Sequence, residues 1–406
     1  MTREPLRVAL FGPFFPEPGM AASSTGLATG LAESEALSSL TIFSQIGSKL
    51  PDGTGWSSVR LIPCWKHDDP ISLILALKTL LVQSRHINVF LFNIHLTAFG
   101  RRAVTNATGL LIPPILAMLT RKQVLVYMHN FLETQDTAQL GYRLSRLSRW
   151  GVQLLERVLL RTTRVVVPLK SQQDTISRVL RMVPYWVPIP FAVPVGILAA
   201  NRNPPTKSSV PLDAPTKILL LGSWGPQKDL AGALEAIIAA RALGGQFTLS
   251  ITGLINAHFP QYQAEVDRAV ASMGTDWFQF LGSVPESELL RVILDHDLVI
   301  LPYNATGGYS AAMSLTAYCG LGVIAYDLPQ MRETASLLGV SPTFIAKGDT
   351  PSLAREIVAF CSNIGAFRKA RREIPQPEFD LRFGRQISQL VEAMRPQDDV
   401  TATIHS

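Results

Sequence analysis

Cysteine is scarce. The 406 residues hold three, Cys64, Cys319 and Cys361, far apart and with no CxxC pair. That excludes a zinc ribbon and a disulfide framework and fits a reducing, cytoplasmic setting. Charge is thin as well, at 17% against 47% hydrophobic, which supplies core for two domains of ordinary size. Long unbroken apolar runs are missing. The opening "MTREPLRVALFGPFF" offers only a short apolar stretch before Pro13, expected to be neither a signal peptide nor a spanning helix, and "GLLIPPILAML" and "MVPYWVPIPFAVPVGILAA" are interrupted by prolines. No GxGxxG follows the first strand, which argues against a nicotinamide-dependent enzyme.

What is present leans basic. The formal net charge is +6 and the pI about 9.3, which favours an anionic partner such as a phosphate-bearing substrate or a membrane surface. "YRLSRLSRWGVQLLERVLLRTTR" places Arg143, Arg146, Arg157, Arg161 and Arg164 near one side at helical spacing, with leucines and valines mostly opposite. Such a helix serves either as a solvated basic face or as an attachment to anionic lipid. No nucleic-acid motif accompanies the charge, so no nucleic-acid partner is expected.

Apolar runs alternate with helical segments along the chain. "LRVALFG", "SLTIFSQI", "INVFLFNI", "KQVLVYMHN" and "RVVVPL" read as strands, with helices between them, and the rhythm restarts with "KILLLG", "FTLSITG", "FQFLG", "LVILPY", "GVIAY" and "TFIAK". This predicts an α/β protein with two doubly wound, Rossmann-like parallel-sheet domains facing across a cleft. The first domain spans 1–195 and the second 216–375. A proline-rich linker over 196–215 joins them, a final helix follows over 376–394, and 395–406 form a tail.

Ligands in open α/β sheets bind at the carboxyl edge of the strands, and five stretches put polar groups there. "FGPFFPEPGMAASSTG" carries Gly19 in a loop, with Ser23, Ser24 and Thr25 as candidate caps of the next helix. "VYMHNFLE" ends a buried strand with His129 and Asn130. "LLLGSWGPQKDL" breaks an apolar strand at Gly222 and sets Lys228 before an alanine-rich helix, where an ammonium suits a diphosphate. "ATGGYSAAMSLTAYCG" offers Gly308, Tyr309, Ser310, Ala311 and Ala312 at a helix start, an anion site without bulky side chains. In "DLPQMRE", Asp327 and Glu333 read as caps of another helix.

In this order the pieces "FGPFFPEPG", "MHN", "LLLGSWGPQKDL", "FTLSITG", "FQFLGSVPESELLRVILDHDLVILPY" and "GGYSAAMSLTAYCGLGVIAYDLPQMRE" resemble the GT-B glycosyltransferases of family 4, over nearly the whole chain. The resemblance implies a metal-independent, retaining transfer of a sugar from a nucleotide-diphosphate sugar. The acceptor would be a hydroxyl of a lipid-linked or surface glycan, bound by the first domain. It implies no cofactor and no metal. The donor would lie against Gly19, Gly222, Ser223, Lys228, Gly308, Tyr309, Ser310, Ala311 and Ala312, with His129 and Lys228 in catalytic roles. An enzyme of cell-envelope polysaccharide biosynthesis, cytoplasmic or peripheral on the inner membrane face, follows from the same likeness and the basic helix. Three positions depart from the family pattern. Ser223 replaces an arginine, and Gly307 and Leu315 replace two glutamates; one lost charge-assisted contact is worth on the order of 2 kcal/mol. The alternatives are a non-catalytic nucleotide-sugar-binding homologue and a nucleotide-sugar epimerase.

Overall fold

The computed structural model describes residues 4–15, 20–51, 56–135, 140, 145–188, 211–212, 214–253, 255–256, 259–271, 273, 276–373 and 377–395. The chain forms two compact units, Met1–Phe131 with Arg149–Ile189 and Asp380–Ser406, and Leu132–Ser148 with Pro190–Phe379. Both are α/β, each built on an all-parallel sheet, so the expected fold class holds.

The first unit contains β1 (Leu6–Phe11), α1 (Met20–Ala32), β2 (Leu37–Gln45), β3 (Val59–Trp65), α2 (Pro70–Gln83), β4 (Val89–Ile94), α3 (Ala103–Thr120), β5 (Gln123–Met128), all but the first turn of α4 (Arg146–Thr162), β6 (Arg164–Val167), α5 (Lys170–Leu180) and β7 (Tyr185–Trp186). Its sheet runs β3-β2-β1-β4-β5-β6-β7. Central β4 is buried along its whole length, as a strand covered on both faces must be. Outer β3 was not among the expected strands: "VRLIPCW" mixes polar and apolar residues and carries Pro63, a residue tolerated at a sheet edge. Leu73 and Leu80 of α2, Leu110 and Leu116 of α3, Leu159 of α4 and Ile176 of α5 join one apolar cluster with Phe92 and Val126 of the sheet. These four helices therefore form a single layer on one face. α2 starts where Asp69 accepts from the amides of Ile71 and Ser72 (3.0 and 3.2 Å), with Pro70 in the first turn.

The second unit contains β8 (Thr216–Leu221), α6 (Leu230–Ala242), β9 (Phe247–Thr252), α7 (Gln263–Ala271), β10 (Phe278–Gly282), α8 (Glu286–Leu294), β11 (Leu298–Leu301), α9 (Ala311–Tyr318), β12 (Gly322–Tyr326), α10 (Pro329–Leu338), β13 (Thr343–Ile345), α11 (Thr350–Ser362) and α12 (Ile364–Glu373). Its strand order is β10-β9-β8-β11-β12-β13, and all six strands fall where the apolar runs predicted them. Alternate residues of β8 enter two separate cores, Ile218 and Leu220 on one face and Leu219 and Leu221 on the other. α13 (Pro377–Ala393) follows, and its end is held in the first unit. Gln123 donates to the Ala393 carbonyl (3.2 Å), and Arg164 donates to that of Arg395 (2.8 Å).

Candidate functional site

In the second unit the strand order reverses between β8 and β11. In open α/β sheets ligands bind at the carboxyl ends of the strands at such a switch point. Lys228 sits there. Its backbone bridges antiparallel to Tyr303 beyond β11, and its ammonium lies 4.7 Å from the Tyr303 ring centroid and 5.8 Å from that of Trp224. It also covers Gly222, where a Cβ would collide with Nζ. Among the described residues no carboxylate forms an ion pair with it. A cation faced by two rings and no acid is prepared for an anionic ligand.

The loop that carries this lysine is fixed from several directions. The Asp229 amide donates to the Pro302 carbonyl (2.7 Å) and the Asn304 amide to that of Gln227 (2.9 Å), which stitches the loops after β8 and β11 together. The Tyr262 hydroxyl donates to the Lys228 carbonyl (2.8 Å) and accepts from the Leu230 amide (3.1 Å). Asp229 caps α6 by accepting from the Gly232 amide (3.0 Å) and takes the Tyr326 hydroxyl on its other oxygen (2.9 Å). Burial pushes both phenols up, so they stay protonated donors.

Past β11, Ser310 is the N-cap of α9 and its side chain accepts from the Met313 amide (3.3 Å). That leaves the amides of Ala311 and Ala312 as the first-turn donors, with only methyl groups beside them. Thr306 donates to the Gly308 carbonyl (2.9 Å) and shapes the approach. Ser314 donates to the Tyr309 hydroxyl (2.6 Å), whose burial raises its pKa. Ser223 is exposed, while Leu315 is 6% exposed and packed in the apolar core. Where the resemblance leads one to expect an acid, this chain has hydrocarbon.

The first unit has its own switch point, between β1 and β4. Fully buried Asn93 on β4 donates to Ser24 Oγ (2.9 Å) and Ser23 Oγ (3.3 Å), and its Oδ1 lies 2.8 Å from His129 Nε2. With the amide so oriented, Nε2 carries the imidazole proton. Burial, assisted by nearby His95, lowers the His129 pKa to about 3, and burial with His67 lowers that of His95 to about 4. Both rings are neutral at physiological pH. Ser23 and Ser24 are thus interior groups of α1 rather than its caps. Nor does Asp327 cap α10; it forms a bidentate pair with Arg332 (2.5 and 2.7 Å).

The lysine loop and the α9 start lie on adjacent strands of the second unit, and His129 ends a strand of the first. Gly19 and Arg143 lie outside the described residues. Arg146, Arg157 and Arg161 are on α4, but Arg164 starts β6 and spends its guanidinium on the Ala393 and Arg395 carbonyls. Trp224, Tyr303, Tyr262 and Asn93 were not expected at these edges. An asparagine inside the apolar "VFLFNI" was the one readable signal, because a buried amide needs partners.

No family model matches the sequence, and no curated protein matches it. Solved structures do. Anabaena HepE in complex with UDP and glucose is 12% identical, with a TM-score of 0.63 over 96% of this chain and 98% of its own. A glycosyltransferase from Rickettsia africae is 11% identical, with a TM-score of 0.64 over 97% and 98%. The UDP-forming α,α-trehalose-phosphate synthase from Burkholderia xenovorans, in complex with glucose-6-phosphate, is 11% identical, with a TM-score of 0.64 over 96% and 100%. The chain therefore has the fold of these proteins, two Rossmann-like units of the GT-B type.

Proposed function

We propose that this protein is a glycosyltransferase that uses a nucleotide-diphosphate sugar. The observation that carries the reading is Lys228, an ammonium without an ion-pair partner among the described residues, set at the switch point of a parallel sheet beside the loop leading to α9. As the bond to the sugar breaks, negative charge grows on the leaving diphosphate. Lys228 and the Ala311 and Ala312 amides are the groups to receive it, so no metal is needed and no cofactor takes part. Neutral His129, oriented by Asn93, serves as a hydrogen-bonding group for the transferred sugar. Gly19, Gly222, Ser223, Gly308, Tyr309 and Ser310 complete the donor contacts, and the anomeric configuration is retained. The acceptor is a hydroxyl of a lipid-linked or surface glycan, handled on the cytoplasmic side of the cell envelope. Support for a uridine donor comes from HepE, which shares the fold and was solved with UDP and with UDP-glucose.

The test is a thermal-shift panel of UDP, GDP, ADP, CMP and their sugar conjugates on the wild type and Lys228→Ala. A ligand at 100 times its Kd stabilises by about 2.7 kcal/mol. The expected result is one nucleoside diphosphate that shifts the wild type and not the variant. No shift with any member, or an equal shift in both proteins, would sink the reading. Exposed Ser223 and core-packed Leu315 favour one rival, a binder without transferase activity. Nucleotide binding with neither hydrolysis nor transfer across an acceptor panel would establish it.

A further inference from the structure

The outer surfaces of α2, α3 and α4 carry apolar residues where solvent-facing helices are ordinarily polar. Ile71 is 68% exposed, Met118 62%, Leu119 63%, Leu147 77%, Trp150 59% and Leu154 45%. α3 carries no charged residue over its 18 positions, yet basic pairs bracket it, Arg101 and Arg102 before and Arg121 and Lys122 after. On α4, Leu147, Trp150 and Leu154 recur at three- and four-residue spacing and form one stripe. At 3.6 residues per turn Arg146, Arg157 and Arg161 fall within about 100° of that stripe. The only acid of α4, Glu156, is fully buried, so no carboxylate of this helix faces outward.

A solvated basic helix accounts for the arginines but not for an exposed tryptophan and two leucines among them. An apolar stripe with an aromatic residue, edged by arginine and free of exposed acid, matches the chemistry of an anionic bilayer surface. We infer that the outer face of α2–α4 docks on anionic lipid, with Leu147, Trp150 and Leu154 inserted at the headgroup boundary and Arg146, Arg157 and Arg161 on the lipid phosphates. The inference makes no use of the donor site, and vesicle binding requires no nucleotide, so it fails or stands separately from the transferase reading.

The experiment is flotation of the full chain with vesicles of phosphatidylcholine alone and of phosphatidylcholine mixed with phosphatidylglycerol. The wild type is expected to float with the mixed vesicles and to be released as salt rises. Two variants, Leu147→Ser/Trp150→Ser/Leu154→Ser and Arg157→Gln/Arg161→Gln, should each bind about tenfold more weakly. Leu243→Ser, an equally exposed change in the second unit, should bind as wild type. The changes are at the surface, and an unchanged melting temperature certifies that the variants fold. A second readout is quenching by brominated lipid, expected in the wild type and reduced in Trp150→Phe. Absence of flotation with either vesicle would overturn the inference, as would equal binding of the serine variant. So would a wild-type dimer that the serine changes convert to monomer, since the stripe would then join copies of the chain.

Discussion

Single residues set the chemistry of both sheet edges. Gly222 leaves room for the Lys228 ammonium. Gly222→Ala should therefore displace the flexible end of that side chain, leaving the ligand-free melting temperature nearly unchanged and weakening nucleoside-diphosphate binding about tenfold, read by calorimetry. Gly253 has no such slack. Its φ is +109° and an added Cβ would strike the Gly222 carbonyl, so Gly253→Ala should cost about 3 kcal/mol or more in urea unfolding. His95 and His129 supply a pH dependence. Their folded pKa values, about 4 and about 3, lie below the ordinary value near 6.5. As pH falls below about 6.5 the unfolded chain takes up these protons first, so stability declines from there toward pH 4. Urea midpoints between pH 7 and 4.5 should show the decline, and His129→Asn should flatten it; parallel slopes in the two proteins would refute the assignment.

At the scale of elements, α6 shows how a cap reaches the site. Asp229 ends the lysine loop, caps the helix and receives Tyr326 from β12. Asp229→Ala should cost the cap about 1 kcal/mol and strand the tyrosine hydroxyl for about 1–3 more, whereas Tyr326→Phe loses only the second bond. Thermal unfolding separates the two, and both should narrow the nucleotide-induced shift, since each loosens the backbone beside Lys228. β8, β11 and β12 were legible because strands covered on both faces are continuous apolar runs, and β9 by its alternation of apolar and polar residues. β3 was not, since its apolar residues are interspersed with Arg60 and Pro63 and only its pairing with β2 makes it a strand. α3 contains Pro113 and Pro114, both buried, so packing on the sheet outweighs a local preference against helix.

Over the whole molecule, distant segments close each unit. Arg368 on α12 is 4% exposed and bonds Asp297 through Nε (3.0 Å) and Nη2 (2.6 Å), with further donations to the carbonyls of Ala214 (2.7 Å) and Pro215 (3.0 Å) at the entry to β8. Arg368→Ala strands a buried carboxylate and should cost about 3–5 kcal/mol by urea unfolding, and the double change with Asp297→Asn should recover part of that. The end of α13 closes the first unit, burying Ile387, Leu390, Val391 and Met394. Removing residues 380–406 should therefore lower the unfolding midpoint of the first unit, and an unchanged thermogram would contradict that role.

The sequence by itself determined the α/β alternation, most of the strands and the candidate position of Lys228, because burial periodicity and loop chemistry are local properties. Tertiary structure decided the rest. It set the strand orders that make switch points and gave Lys228 two aromatic neighbours. It joined Asn93 to His129 across 36 residues, and placed Leu315 in the core. It also turned the apolar flanks of α4 partly outward. Each of these depends on which distant segments lie side by side, and neither composition nor spacing encodes that locally.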